Sequence, residues 1–159
     1  MHDHTDYRGA GADPALSLIP RQGAMSQPAR YSIIARLVYS ALVASVGIAT
    51  SVALIVRGRS APTQVPQVLL YAPLIVGAAT FAAAFAVRSR IEPPGSGMAE
   101  DAWWSQQLPR ALVVWALIEG ASMFGAAVFL ISGAYLPLAP TVLGLLLLAL
   151  MAPARLAEA

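Results

Sequence analysis

The chain has 159 residues, of which 58% are hydrophobic and 11% are charged, with a formal net charge of +2. An ordinary soluble domain carries about 25% charged residues, and a chain this short cannot hide so much apolar surface in one water-soluble core. A soluble globular fold is therefore excluded. The absence of Cys excludes disulfides and thiolate metal sites, and the small basic excess bears on membrane orientation rather than on nucleic-acid binding.

Residues 1–29 form an N-terminal segment rich in Gly, Ala, Pro, Asp and Arg that shows no apolar period. This composition predicts a disordered cytoplasmic tail. Met1 and Met25 are both candidate start sites, and the sequence leaves the choice open. His2 and His4 lie in the tail, but two histidines on a flexible segment fall short of a metal site. No metal and no cofactor is predicted.

Four apolar stretches follow the tail, and a helix needs about 20 such residues to cross the hydrocarbon core. They predict an all-α membrane protein, in which residues 30–155 form a bundle of four transmembrane helices. The predicted spans are residues 33–56, 66–88, 108–132 and 135–152. The first apolar region is longer than the roughly 7–15 residues of a signal-peptide core, so we expect it to remain as a span.

The arginines are divided unequally between the two sides of this predicted bundle. The tail, the middle loop and the C-terminus hold Arg8, Arg21, Arg30, Arg36, Arg88, Arg90, Arg110 and Arg155. The opposite side holds only Arg57 and Arg59. The positive-inside rule therefore predicts that both termini are cytoplasmic. Trp103 and Trp104 are predicted to anchor the middle loop at the membrane–water interface, where amphipathic rings settle.

Small residues recur at helical spacing in three of the spans. Close approach of small residues supplies much of the contact between helices in lipid, so these positions are predicted to be packing faces. They are Ser40, Ala44, Gly47 and Ser51 in the first span, Ala78 and Ala82 in the second, and Ala116, Gly120 and Gly125 in the third. Whether they serve the bundle itself, other membrane subunits or self-association stays open.

Glu119 is the only charged residue deep inside a predicted span. Such residues are rare because they oppose insertion, and by default they indicate function. Ser122 lies one turn further on, so the two form a candidate site for a proton or, with more oxygen ligands, for a sodium ion. The alternative is a protonated Glu119 that donates a structural hydrogen bond to a neighbouring helix. The candidate acceptors are Ser45, Thr50 and Thr80.

The segment from Arg110 to Leu130, with Ala-Leu-Ile-Glu-Gly at its centre, resembles the outer helix of the proteolipid (c) subunit of rotary ATP synthases. The small-residue segment 77–86, followed by Arg88 and Arg90, is similar to that family's inner helix and basic loop. The resemblance extends over residues 70–131 and implies that Glu119 is an ion-carrying carboxylate. The whole chain resembles small uncharacterised four-helix bacterial proteins, which implies the bacterial inner membrane.

Three functions stay open at this point. The first is a small structural or accessory subunit without enzymatic activity, because the chain has no Gly-rich phosphate loop and no nucleophile–base pair. The second is a proton- or ion-binding, proteolipid-like module. The third is a small multidrug exporter, a class with four spans and one intramembrane Glu, although that Glu lies in the first helix. The lipid bilayer is the expected surrounding in all three.

Overall fold

The structure, a computed structural model, describes residues 30–59 and 64–158. Helix is the only regular secondary structure in these residues, which confirms the predicted all-α class. The helices are α1 Arg30–Arg57, α2 Gln67–Arg88, α3 Glu100–Ser132, α4 Leu138–Leu150 and α5 Pro153–Glu158. The predicted disordered tail of residues 1–29, with both candidate start sites and both histidines, lies outside the described residues.

Three of these helices are long and apolar enough to cross a membrane. They are α1, α2 and α3, with 28, 22 and 33 residues. The fourth apolar helix, α4, has 13 residues, or about 20 Å at 1.5 Å per residue. It is shorter than the predicted span of residues 135–152 because the backbone is irregular before Leu138 and leaves the helix at Met151. Length and composition therefore identify three candidate crossings and one short apolar helix.

The central helix α3 begins at Glu100 rather than at the predicted residue 108. Glu100 and Asp101 occupy its first turn, where negative side chains favour the positive end of the helix dipole. It ends at Gly133, whose φ of 71° is the left-handed conformation that glycine adopts readily. The Arg57 guanidinium lies against this glycine and donates from Nη2 to the Ser132 carbonyl at 2.8 Å.

The other helices pack around α3 rather than around one another. α1, α2 and α4 each make their main contacts with α3, α4 also touches α1 and α2, and α1 and α2 scarcely meet. Glycines allow the closest approaches: Gly125 lies against Pro137 and Thr141, and Gly144 against Ser122. Because α1 and α2 stay apart, one face of α3 remains uncovered between them.

Trp103 and Trp104, the predicted interface anchors, are buried against other parts of the chain at the start of α3. They are 2% and 1% exposed, and their ring centroids are 4.7 Å apart. Trp104 also packs on Trp115, with a centroid distance of 6.2 Å. The Trp103 Nε1 donates to the Glu92 carbonyl at 2.8 Å. A buried indole needs such an acceptor, and the chain supplies one here, so the ring is enclosed.

Most of the predicted packing positions are exposed on the surface of this bundle. Gly125 is buried and Gly47 is half-buried, whereas the others are exposed: Ser40, Ala44, Ser51, Ala78, Ala82, Ala116 and Gly120. α1 instead presents Ala35, Val46 and Ala53 to α3. Lipid chains are as apolar as Leu, so burying a large side chain is not favoured over exposing it. Residue size alone therefore does not select the inward face.

Candidate functional site

The candidate site is the carboxyl of Glu119, half-buried on α3 and held by a hydroxyl from α1. Ser45 Oγ lies within hydrogen-bonding distance of Glu119 Oε1. The same Ser45 Oγ is 2.8 Å from the Leu42 carbonyl. Of the three candidate partners, Thr50 and Thr80 instead donate to carbonyls of their own helices, those of Val46 and Val76 respectively. Glu119 is therefore joined to a neighbouring helix through Ser45.

Counting protons shows how the Ser45 contacts can be satisfied together. A serine hydroxyl has one proton to donate and two lone pairs that accept. If Ser45 donates its proton to Glu119, it cannot also donate to the Leu42 carbonyl. If a protonated Glu119 donates to Ser45 Oγ instead, the Ser45 proton is available for the hydrogen bond to Leu42. In that arrangement the Glu119 proton goes to Ser45 Oγ, and the Ser45 proton goes to the Leu42 carbonyl. Ser45 can therefore make both contacts at once when its hydroxyl accepts from the Glu119 side and donates to Leu42.

Ser122, the predicted partner of Glu119, belongs to a different contact. It is fully buried, and its Oγ donates to the Ile118 carbonyl at 2.7 Å. Its own carbonyl accepts a hydrogen bond from Thr141 Oγ1 at 2.7 Å. Positions 119 and 122 differ by about 60° around a helix, so Ser122 turns toward α4 while Glu119 turns toward α1. The structure does not bring the predicted pair together.

The oxygen ligands around Glu119 are few. Among the described residues, the one ion pair joins Arg36 and Glu100 at 3.2 Å, far along the bundle from Glu119. The described residues also contain no group of three acidic, histidine or cysteine side chains that could hold a metal. Among the described residues, Ser45 supplies the one side-chain hydroxyl that is hydrogen-bonded to the Glu119 carboxyl, whereas a hard cation takes several oxygens. The site therefore consists of one carboxyl and one hydroxyl joined by a hydrogen bond.

Glu119 borders the uncovered face of α3. This face carries Val113, Ala116, Gly120, Met123 and Ala127, all exposed. They follow the three- and four-residue spacing of a single helical stripe. A methyl group added at Gly120 would meet nothing within 4 Å. The carboxyl is therefore one residue away from a surface that lipid or another helix can reach.

A second polar cluster ties the first turn of α1 to the first turn of α3. Asp101 Oδ1 accepts hydrogen bonds from the backbone amides of Tyr31 at 2.7 Å and Ser32 at 3.1 Å. Beside it, Arg36 Nη2 reaches Glu100 Oε1 at 3.2 Å. Unpaired amides at the start of a helix need acceptors, and here the acceptor comes from 70 residues further along the chain. The cluster therefore joins the starts of α1 and α3.

Comparisons with protein-family models, with curated proteins and with solved structures find no significant match to this chain.

Proposed function

We propose that this chain is a four-span membrane protein acting as a small structural or accessory subunit of the bacterial inner membrane, without enzymatic activity. Three spans are α1, α2 and α3. The C-terminal segment that contains α4 begins beside Gly133, which touches Arg57 at one end of the bundle. It reaches Leu156, which lines a cavity with Arg88 at the other end. This path supports a fourth crossing, and the arginine distribution supports cytoplasmic termini.

The observation that carries the proposal is the contact between Ser45 and Glu119. It uses Glu119, the one acid within residues 108–132, for a link between α1 and α3. An acid that serves an ion pathway needs further oxygens or a cation partner, and the described residues around Glu119 supply one hydroxyl. A protonated Glu119 that holds two helices together is a structural element. Free faces on α1 and α2 leave room for the neighbouring membrane subunits that an accessory role implies.

The test is a double-mutant cycle on protein purified in mild detergent. Glu119→Ala and Ser45→Ala should each lower the thermal unfolding midpoint, and together they should cost less than their sum. Interhelical hydrogen bonds in membranes couple by about 0.6 kcal/mol on average and up to about 1.7 kcal/mol. Glu119→Gln should stay near wild type, because its amide can still donate to Ser45.

Thr50→Ala is the matched control for this cycle. Thr50 lies on the same helix as Ser45 and donates to Val46 within α1, so it should not couple to Glu119. If Ser45 couples no more strongly than Thr50, the structural link is refuted.

A proton-binding, proteolipid-like module is the second candidate, favoured by the closeness of Glu119 to the uncovered face of α3. It predicts that a hydrophobic carbodiimide labels Glu119 in the folded protein and that protons promote the labelling. It also predicts that Glu119→Gln abolishes function while the protein stays folded. Retained function in Glu119→Gln, or no labelling at all, would remove this candidate. A sodium-binding variant of it would show labelling that sodium blocks.

A further inference from the structure

A cavity of about 400 Å³ opens at the C-terminal end of α2. Three segments build it: the end of α2, the loop that follows, and α5. The lining residues are Phe85, Arg88, Ser89, Ile91, Pro93 and Leu156. One of them is cationic and none is acidic, so the cavity offers a positive charge among apolar walls.

Along α2, the charged group and the apolar group that line this cavity are about one helical turn apart. Arg88 is the last residue of α2, whereas Phe85 lies one turn earlier, about 5 Å further toward the middle of the helix. Phe85 is 51% exposed, and Leu156 closes the apolar side. A molecule with an anionic head and an apolar tail, entering from the leaflet at this end, would meet the matching groups in the same order.

The Arg88 side chain has no acidic partner among the described residues. The comparison with Arg36 is direct, because Arg36 lines a second cavity of about 430 Å³ at the same end of the bundle. Arg36 is paired with Glu100 at 3.2 Å, so its charge is already offset. The two cavities are alike in volume, and they differ in whether the guanidinium is paired with an acid.

Backbone groups at the end of α2 do not consume the Arg88 donors. The Phe85 carbonyl accepts from the amide of Ser89 at 2.9 Å, and the Arg88 carbonyl accepts from that of Ile91 at 3.0 Å. The Ser89 hydroxyl donates to the Ala86 carbonyl at 2.9 Å. Within residues 30–59 and 64–158 the Arg88 guanidinium donates to no acceptor, so its five N–H donors are available to a ligand, in the fork that fits phosphate oxygens.

We propose that this cavity binds an anionic phospholipid of the surrounding leaflet, with its phosphate on the Arg88 guanidinium and an acyl chain along Phe85. Charge complementarity selects an anionic head, and the apolar wall selects a lipid over a free anion. Basic pockets at the cytoplasmic ends of transmembrane helices bind such headgroups. The inference rests on the membrane placement proposed above, but it requires no function for Glu119.

The experiment is native mass spectrometry of the full chain in detergent, titrated with phosphatidylglycerol or with phosphatidylcholine of the same acyl chains. Wild-type protein should retain phosphatidylglycerol selectively. Arg88→Gln should lose roughly fivefold in affinity for it, the share expected of one arginine near a lipid surface. Arg88→Lys should keep most of the preference, and Arg36→Gln, the matched control, should leave it unchanged.

The ligand source is separated by a second titration with inorganic phosphate and with glycerol phosphate. Displacement of bound phosphatidylglycerol by either one at equal concentration would mean that the cavity reads a free anion, and it would overturn the lipid proposal. Equal retention of the two lipids by wild type, or equal losses in the Arg88 and Arg36 variants, would do the same. Helical circular dichroism confirms that each variant is folded, so these outcomes leave the Glu119 proposal untouched.

Discussion

Two glycines of α3, Gly120 and Gly125, have opposite surroundings. A methyl group at Gly125 would collide with the Pro137 carbonyl and come within 2.6 Å of Thr141 Oγ1, both at the start of α4. A methyl group at Gly120 would meet nothing within 4 Å. The same substitution therefore tests a packed contact at one position and a free surface at the other.

Gly125→Ala should lower the stability of the purified protein by about 1–3 kcal/mol, the usual cost of inserting atoms into a packed site. Gly120→Ala should leave stability unchanged or slightly raised, because alanine is the better helix former. Unfolding by heat or by denaturing detergent, followed by circular dichroism, measures both. Equal effects of the two substitutions would contradict the close approach of α4 to Gly125.

At the scale of single residues, the sequence predicted the acid of the candidate site but not its arrangement. Glu119 stands out because a charge inside an apolar span is conspicuous. Ser122 is near it in the chain, yet the helical rotation between the two positions sends Ser122 toward α4. Ser45 is 74 residues away and was one of three equal candidates. Only the packing of α1 on α3 distinguishes it from Thr50 and Thr80.

The N-terminus of α1 is stabilised by a residue of α3. Asp101 Oδ1 accepts the amides of Tyr31 and Ser32 at the first turn of α1. A helix cap ordinarily comes from the residue just before the helix. Here the cap also fixes α1 against α3, so one carboxylate serves both helix formation and helix packing.

Asp101→Ala should cost about 1 kcal/mol, as the loss of a cap does, and it should speed hydrogen exchange of the amides of Tyr31 and Ser32. Asp101→Asn keeps a side-chain oxygen and should retain most of their protection. Glu100→Gln breaks the exposed pair with Arg36, which is worth about 0–1 kcal/mol, and it should not affect these amides. Unchanged exchange in Asp101→Ala would show that the cap is unimportant.

The ends of the helices could be predicted where a charged residue stands at the end of an apolar stretch. Arg57 and Arg88 end α1 and α2, close to the ends predicted from them. The start of α3 could not be predicted in this way, because the first turns of α3 are polar and their hydropathy does not indicate a membrane span. The first turns of α3 are buried through Trp103 and Trp104, and the contacts of these two rings form only in the folded bundle.

At the scale of the molecule, four crossings require the C-terminal segment to lie on the same side as the loop before α3. The chain has no Cys, so single cysteines report accessibility without background. Ser96→Cys and Ala154→Cys should react with a membrane-impermeant maleimide only from the cytoplasmic side, and Tyr135→Cys only from outside. All three positions are exposed. Labelling of positions 135 and 154 from one side would limit the protein to three crossings.

The arrangement of helices was the part of the fold that the sequence could not supply. In water, apolar faces turn inward, so the pattern of a helix reveals its packing side. In lipid that drive is absent between helices, and the small-residue stripe through Ser40 and Ala44 turned outward while Val46 turned inward. What selects the inner face is shape and hydrogen bonding across contacts, such as Tyr39 donating to the Leu148 carbonyl at 2.9 Å.

The dependence of every other helix on α3 imposes an order on biogenesis. During synthesis α1 and α2 enter the bilayer before α3, and they make almost no contact with each other. Both helices make their main contacts with α3, so the bundle can close only after residues 100–132 have been synthesised. A chain that stops before residue 100 would contain α1 and α2 without the helix against which both pack, and we expect such a chain to be degraded.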